Sequence, residues 1–281
     1  MSDDQQGPDS RADEEDKMST GNHGAAGSDQ PAASAGSDQP AASTVRPQPP
    51  GDAMQVRGVL ELLRARETIA LVVSTIALAT VRFVNSDFVW LPDLARQTLM
   101  GWFGLNLVML FIVPLVIGYF VLGMKPADLG VRIGNWRVSV RYALIYGGIT
   151  IPLILISSRW GDFQAYYSRY LNAGQPAAVI ALLMAGWLVY FLAWEFHFRG
   201  FLLFALERRF GAWWAIIIQT VPFTLMHIGK PWSETTAAVV AGIALGWWAY
   251  RSRSCLGPWL LHWVCSGTMQ FAVAFWPRNG G

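Results

Sequence analysis

The stretch VIALLMAGWLVYFLA, residues 179–193, contains fifteen consecutive uncharged and mostly apolar residues. With its flanks, it approaches the roughly 20 residues that an α-helix needs to cross the hydrocarbon core of a bilayer. The next residues, WEFHFRGF at 194–201, place a glutamate and an arginine among aromatic side chains. An ionisable side chain at membrane depth is costly, which makes it a candidate for function.

The composition of the whole chain is that of a membrane protein. Of its 281 residues, 53% are hydrophobic and 14% are charged, whereas about a quarter are charged in an ordinary soluble domain. Such a chain cannot hide its apolar surface in one soluble core, so we predict an all-α, polytopic membrane helix bundle. The two cysteines, Cys255 and Cys265, have neither the pattern of a disulfide framework nor a metal-binding CxxC spacing.

The first 52 residues have a different character. They contain ten acidic and three basic residues and a tandem nonamer, AGSDQPAAS, at 26–34 and 35–43. Because so few of them are bulky and apolar, we predict that residues 1–52 form a disordered acidic tail and residues 53–281 the membrane domain. The tail lacks the apolar region of a signal peptide.

Seven windows poor in charge are predicted to be transmembrane helices, although six or eight would also fit, since three of the windows are short. The windows are Thr68–Val81 (which could extend to Trp90), Thr98–Met124, Tyr142–Ser158, Pro176–Trp194, Phe210–Gly229, Thr235–Tyr250 and Ser254–Pro277. With the N-terminus inside, the cytoplasmic loops carry eleven Lys and Arg residues, against six in the opposite loops. We therefore expect a multi-pass protein with a cytoplasmic N-terminus.

Three of these helices carry pairs of chemically distinctive residues four positions apart, a spacing that places both on one helix face. The pairs are Glu195 with Arg199, Phe223 with His227, and His262 with Ser266. Each pair alone also fits a structural role, such as an ion pair between helices or a hydrogen-bonded core histidine. His197 lies two positions from Glu195 and is expected to pack on roughly the opposite face.

The distances of these residues along their helices, counted from the predicted turns, do not all place them at the same depth in the membrane. Glu195 and His227 each lie 16 residues from Gly211, where we predict a turn, so both sit about 24 Å along their helices. His262 is only seven residues beyond Cys255, near the following turn. Either residues 201–211 lie along the membrane interface, or the last helix starts deep in the bundle.

The three pairs resemble, in order, the motifs EExxxR, FxxxH and HxxxN of the CPBP family (CAAX proteases and bacteriocin-processing proteins, also called Abi). The resemblance covers roughly residues 120–275 and extends to the flanking sequences RGFLL and GPWLLH. Two positions depart from the motifs, since Trp194 replaces the first glutamate and Ser266 replaces the asparagine. In the family, the first glutamate is the one usually assigned to activating water.

The resemblance implies an intramembrane endopeptidase that cleaves membrane-associated or lipidated proteins, as in CAAX-type processing. The low-complexity tail and the departures from the motifs indicate a bacterial plasma membrane. Peptide hydrolysis needs an activated water and donors for the oxyanion. We hypothesise that Glu195, held ionised by Arg199, takes a proton from a water that His227 orients, with Phe223 in support. His262 and Ser266 would stabilise the oxyanion. No serine has a base at a suitable spacing, so Ser266 is not expected to act as a nucleophile.

Several alternatives remain open from the sequence. Glu195, His227 and His262 form a His2Glu set that would suit catalytic zinc, although no HExxH is present and the resemblance favours a mechanism without a cofactor. The chain could be a catalytically inactive relative that acts as a scaffold or in bacteriocin immunity, for which Trp194 is the main argument. It could also be a small proton-linked transporter. We expect membrane lipid and a peptide or membrane-protein substrate as partners, and no nucleic acid.

Overall fold

The structure is a computed structural model that describes residues 52–84, 99–171 and 173–275. Throughout these ranges the regular elements are helices, and no β-strand is formed. We number them α1 (Asp52–Arg64), α2 (Arg66–Val84), α3 (99–121), α4 (Trp136–Ser157), α5 (Gly161–Tyr167), α6 (Ala177–Glu195), α7 (Leu203–Leu225), α8 (Trp232–Ser252) and α9 (Leu256–Phe275). The predicted all-α class is confirmed, while the predicted tail, apart from Asp52 at the start of α1, lies outside the described residues.

Within the described ranges, three segments are wound as π-helix, in which each backbone hydrogen bond spans five residues instead of four. Two of them, Val108–Ile112 and Ile117–Val121, belong to α3. The third, Phe196–Leu202, joins α6 to α7 and is completely buried. The apolar stretch 179–193 is thus the body of α6, and the charged stretch that follows it begins the buried π-helical segment.

Local signals set several helix boundaries. Asn135 caps α4, because its side chain accepts a hydrogen bond from the backbone N–H of Val138 at 3.2 Å. At Gly211 the helix α7 is interrupted, with φ 75° and ψ 168°, a conformation that glycine adopts without a side-chain clash. The turn predicted near Gly211 is therefore present, as a kink within α7.

Four of the described helices are long and apolar enough to cross a membrane: Arg66–Val84, Gly101–Val121, Trp136–Ser157 and the 49-residue run Ala177–Leu225. Each of the seven predicted windows coincides with a helix or with one arm of this run. Helices α8 and α9 are not among these four. The membrane-type bundle is confirmed, and the count of seven crossings stays a prediction.

The elements pack around the π-helical segment 196–202. Helix α8 lies along α7, α9 packs against both α4 and α6, and α3 packs against α6. Large apolar side chains remain exposed on the outer faces, among them Leu144, Ile149 and Val240. A continuous apolar exterior of this kind is what lipid tails contact in a membrane protein.

The structure also decides between the two depth alternatives. The first part of the segment 201–211 is buried in the core, up to Leu206, and does not lie along the surface. The turn before α9 is buried too, because Ser254 and Cys255 have no exposed surface and the Cys255 N–H donates to the Gly130 carbonyl at 3.0 Å. The last helix therefore starts deep, which removes the mismatch at His262.

Candidate active site

Glu195 and Arg199 form a buried ion pair at the junction of α6 and the π-helical segment. Neither residue has any exposed surface. The Arg199 Nε lies 3.3 Å from Glu195 Oε2, and Nη1 donates to Oε1 at 3.4 Å. Burying a charge in apolar surroundings requires an opposite charge close by. Each of these two residues therefore makes the burial of the other tolerable.

His262 on α9 completes the environment of this carboxylate. Its Nδ1 lies 2.6 Å from Glu195 Oε1, a short hydrogen bond that joins α9 to α6. Its ring lies 4.3 Å from that of Phe191, one turn before Glu195. With Nδ1 donating to the carboxylate, the other ring nitrogen, Nε2, is left for a further partner. The structure thus brings together residues from the first and third motifs.

His227 lies just beyond the end of α7, with 5% of its surface exposed. Its Nδ1 is 2.8 Å from the Phe223 carbonyl oxygen, so Nδ1 carries the proton and donates it. This hydrogen bond fixes the tautomer of a neutral ring and leaves Nε2 as an acceptor. The backbone carbonyl of His227 accepts a hydrogen bond from Thr235 Oγ1 at 2.8 Å, which ties this turn to α8.

The ring of Phe223 is the common neighbour of these groups. The Arg199 guanidinium carbon lies 3.9 Å from its centre, a cation–π contact. The rings of His227 and His262 lie 4.6 Å and 6.4 Å from it. Residues of all three motifs therefore surround one aromatic side chain. We call the set Glu195, Arg199, Phe223, His227 and His262 the motif cluster.

Ser266 lies one helical turn beyond His262 on α9. Its Oγ accepts a hydrogen bond from Gln270 Nε2 at 3.3 Å, along the same helix. Because the hydroxyl oxygen is the acceptor there, its own proton remains able to donate. The described contacts of Ser266 do not link it to Glu195 or to either histidine of the motif cluster.

Several buried polar atoms at the cluster have no hydrogen-bond partner within the described part of the chain. They are Glu195 Oε2, Arg199 Nε and Nη2, and Trp194 Nε1. Most buried polar groups in folded proteins are hydrogen-bonded, so unpaired ones mark a functional site or the place of a bound molecule. Oε1 of the carboxylate is therefore held by His262 and by Arg199 Nη1, whereas Oε2 has only the ion-pair contact with Arg199 Nε at 3.3 Å and can still accept a hydrogen bond from a ligand.

His197 also has two unpaired ring nitrogens, but it is separate from the motif cluster. Its ring lies beside those of Phe198 at 5.2 Å and Phe201 at 6.3 Å, and it has no exposed surface. The structure thus places His197 in the packed aromatic core, in keeping with the expectation that it faces away from Glu195.

A second polar group, not singled out by the sequence motifs, lies beside His227. The Tyr167 hydroxyl on α5 contacts both carboxylate oxygens of Glu234, at 2.8 and 2.7 Å, and Lys230 Nζ lies 2.7 Å from the same carboxylate. Burial, and then the neighbouring carboxylate, raise the pKa of Tyr167 far above its usual value. Burial alone would lower the pKa of Lys230, but the Glu234 carboxylate holds it well above its usual value.

This polar group anchors the turn that carries His227. Lys230 is three residues from His227, and Glu234 is the residue before Thr235 in α8. The spacing of Lys230 and Glu234, four apart in HIGKPWSE, was a signal of this ion pair. The partner Tyr167, 67 residues away from Glu234 in sequence, had no such signal.

An apolar groove of about 640 Å³ runs along α9 close to the motif cluster. It is lined by residues of α4, α6 and α9, among them Leu155, Met184, Trp263 and Phe271. Trp263, in the lining, is the residue after His262 in α9. The lining of the groove is almost entirely apolar, which suits an apolar segment or a lipid chain.

The described residues give little geometric support to a metal site. Nowhere in 52–84, 99–171 and 173–275 do three His, Cys, Asp or Glu side chains group as metal ligands would. Glu195 and His262 are in contact, whereas the described hydrogen bond of His227 is to Phe223. A catalytic zinc site requires three protein ligands around one point.

Comparison with known proteins gives one finding. Residues 175–268 match the family model described as type II CAAX prenyl endopeptidase Rce1-like. This segment contains all three motif pairs, so the resemblance to the CPBP and CAAX protease family is confirmed over these residues. No curated protein and no solved structure matches the chain.

Proposed function

We propose, from the match of residues 175–268 to the CAAX prenyl endopeptidase family, that this chain is an intramembrane endopeptidase in which Glu195 activates water. The observation that carries the proposal is the state of this carboxylate. Its Oε1 is held by His262 at 2.6 Å, while its buried Oε2 has an ion-pair contact with Arg199 Nε at 3.3 Å and no hydrogen bond in the described structure. A carboxylate in this state can accept a proton from a water molecule.

The tautomer of His227 supports a role in orienting that water. Because Nδ1 donates to the Phe223 carbonyl, Nε2 can accept one proton of the water while Glu195 accepts the other. The water oxygen then has a lone pair free to attack the peptide carbonyl carbon. As the attack proceeds, one proton passes to Glu195, which later delivers it to the leaving amine.

The oxyanion formed by this attack needs hydrogen-bond donors. The Ser266 hydroxyl and, when the ring carries a proton on each nitrogen, His262 Nε2 are the proposed donors, each able to contribute a few kcal/mol in a site that excludes water. Arg199 holds Glu195 in position through its two contacts. The apolar groove along α9 offers a path by which an apolar or lipidated substrate segment approaches His262.

The proposal is tested by comparing membrane proteomes of cells that carry the native chain, Glu195→Gln or His227→Ala. We expect the same set of uncleaved membrane proteins in both variants, and a loss of about 10²–10⁴-fold in cleavage rate, which is typical of removing a general base. Glu61→Gln, an exposed glutamate on α1, is the matched control and should behave like the native chain.

The same experiment separates the second candidate function, a catalytically inactive relative. Trp194 favours that candidate, since it occupies the position of the first glutamate in EExxxR. Identical proteomes for the native chain, Glu195→Gln and His227→Ala would support a scaffold or immunity role and contradict the protease. His227→Ala leaves the buried ion pair of Glu195 and Arg199 intact.

A further inference from the structure

Trp194 is packed into the motif cluster although no family motif assigns it a role. Only 5% of its surface is exposed. Its ring lies 6.0 Å from the ring of His227 and 6.0 Å from that of Phe223. Tyr190 and Phe198, one turn to either side, enclose it at 5.7 and 5.1 Å. The indole is therefore held in a fixed orientation beside the histidine proposed to orient water.

The indole N–H of Trp194 is buried and has no acceptor within the described structure. Buried tryptophans usually find a partner for this group. Two tryptophans of α9 follow that rule, since Trp259 Nε1 donates to the Leu188 carbonyl at 2.8 Å and Trp263 Nε1 to the Met184 carbonyl at 3.0 Å. Trp194 differs from these neighbours, because its buried donor has no acceptor although its ring contacts those of Phe223 and His227 in the motif cluster.

The charge of the cluster explains why a neutral donor suits this position. Glu195 and Arg199 already balance each other in a site without exposed surface. A second carboxylate at position 194 would add an unpaired negative charge in apolar surroundings, which is costly. An indole contributes a hydrogen-bond donor and no charge. It can therefore stabilise a developing negative charge, which a carboxylate in the same place would repel.

We propose that Trp194 is a catalytic residue whose indole N–H donates a hydrogen bond to the carbonyl oxygen of the scissile peptide bond. This inference rests on the proposed function. When water attacks the carbonyl carbon, its proton passes to Glu195 and the C=O electron pair moves to oxygen, which accepts the Trp194 hydrogen bond. When the intermediate collapses, the C–N bond breaks and the proton moves from Glu195 to the amine. The departure from EExxxR thus replaces an acceptor by a donor, and Glu195 acts as the base.

The test uses three substitutions that separate the donor from the ring. Trp194→Phe keeps an aromatic ring and removes the N–H. Trp194→Gln keeps an N–H donor without the ring, and Trp194→Leu has similar size to glutamine and no donor. Trp248→Phe is the control, because Trp248 is also buried but lies on α8 with its Nε1 3.5 Å from Ser139 Oγ. The full-length proteins are assayed in mixed micelles with a farnesylated fluorogenic peptide that ends in a CAAX sequence.

For Trp194→Phe we expect kcat to fall about 10–100-fold with KM nearly unchanged, since a donor to the oxyanion acts in the transition state. Trp194→Gln should retain a kcat about tenfold above that of Trp194→Leu, although the two have lost the same packing. Trp248→Phe should keep the native kcat. Thermal unfolding of each variant, measured in the same micelles, reports any loss of packing separately.

Two results overturn the inference and leave the proposed function standing. One is a native kcat in Trp194→Phe while Glu195→Gln is inactive. The other is an equal kcat for Trp194→Gln and Trp194→Leu, which would mean that Trp194 only fills space. Cleavage that is the same in the native chain and in Glu195→Gln, or absent from the native chain, would instead contradict the proposed function and this inference with it.

Discussion

At the scale of single residues, Glu195 connects the elements of the motif cluster. It receives a hydrogen bond from His262 on α9 and an ion pair from Arg199, one turn further along its own chain. Removing one member of a buried pair typically costs about 3–5 kcal/mol, because the other charge is left without compensation. The same contacts that stabilise the bundle therefore hold the Glu195 carboxylate in a fixed orientation.

A catalytic metal in this site would have to be bound by Glu195, His227 and His262. Since the described part of the chain contains no group of three metal ligands, we expect cleavage to survive exhaustive treatment with 1,10-phenanthroline and EDTA. The rate of peptide cleavage before and after chelation is the measurement, with a zinc peptidase in the same micelles as the control. A loss of activity that Zn²⁺ alone restores would identify Glu195, His227 and His262 as a His2Glu zinc set.

Much of the motif cluster could be predicted from residue spacing. The contact of Glu195 with Arg199 follows from their separation by four positions in one helical run. The contact of His262 with Glu195 did not follow, because it depends on how deep α9 begins. That depth is set by the buried turn at Cys255, whose N–H is bound by Gly130, and local sequence carries no information about such a long-range pairing. Nor does the sequence indicate that the indole N–H of Trp194 has no hydrogen-bond acceptor in the described structure.

At the scale of secondary structure, the π-helical segment 196–202 is the element that the sequence did not predict. Hydrophobic periodicity distinguishes helix from strand, but it does not show where one extra residue is accommodated in a turn. The segment also depends on a close approach by the connector after α3. The Leu129 carbonyl oxygen comes so near to Gly200 that a Cβ there would lie only 2.6 Å away. Glycine is thus required beside Arg199 for reasons of space.

Gly200→Ala is expected to lower both stability and activity. The added methyl group would meet the Leu129 carbonyl oxygen at 2.6 Å and the Phe196 ring at 2.8 Å. Because one of these neighbours is backbone, the segment must shift, at a cost of about 1–3 kcal/mol for an overpacked core. The Arg199 side chain would move with it. Thermal unfolding in micelles and the rate of peptide cleavage measure the two effects.

Gly148→Ala is the matched control for this substitution. Gly148 also lies inside a helix, α4, but a Cβ there would meet no atom within 4 Å. Since alanine favours the helix over glycine, this variant should be as stable as the native chain or slightly more so. If Gly200→Ala were equally stable and active, the close contact with Leu129 would not constrain the site.

At the scale of the whole molecule, the amino-acid composition predicted a membrane protein, but it did not fix the number of transmembrane helices. The apolar exterior of the bundle agrees with a membrane protein, and four helical runs are apolar and long enough to span a bilayer. Helices α8 and α9 fall outside this set of four, and they carry polar residues of the candidate site and its anchor, such as Glu234 and His262. A window of hydropathy cannot separate polar residues that face the interior from those that face water.

The orientation of the bundle is the last prediction, and it rests on the excess of Lys and Arg in the loops assigned to the cytoplasm, eleven against six. Lys125 lies in the connector before α4 and Asp162 in α5, both exposed and on opposite predicted sides. In a Cys265→Ser background, Asp162→Cys should react with a membrane-impermeant maleimide in intact cells. Lys125→Cys should react only after the cells are opened, because its connector faces the cytoplasm. The reverse pattern would place the N-terminus outside the cell. His227, which lies on the same side as α5, would then face the cytoplasm.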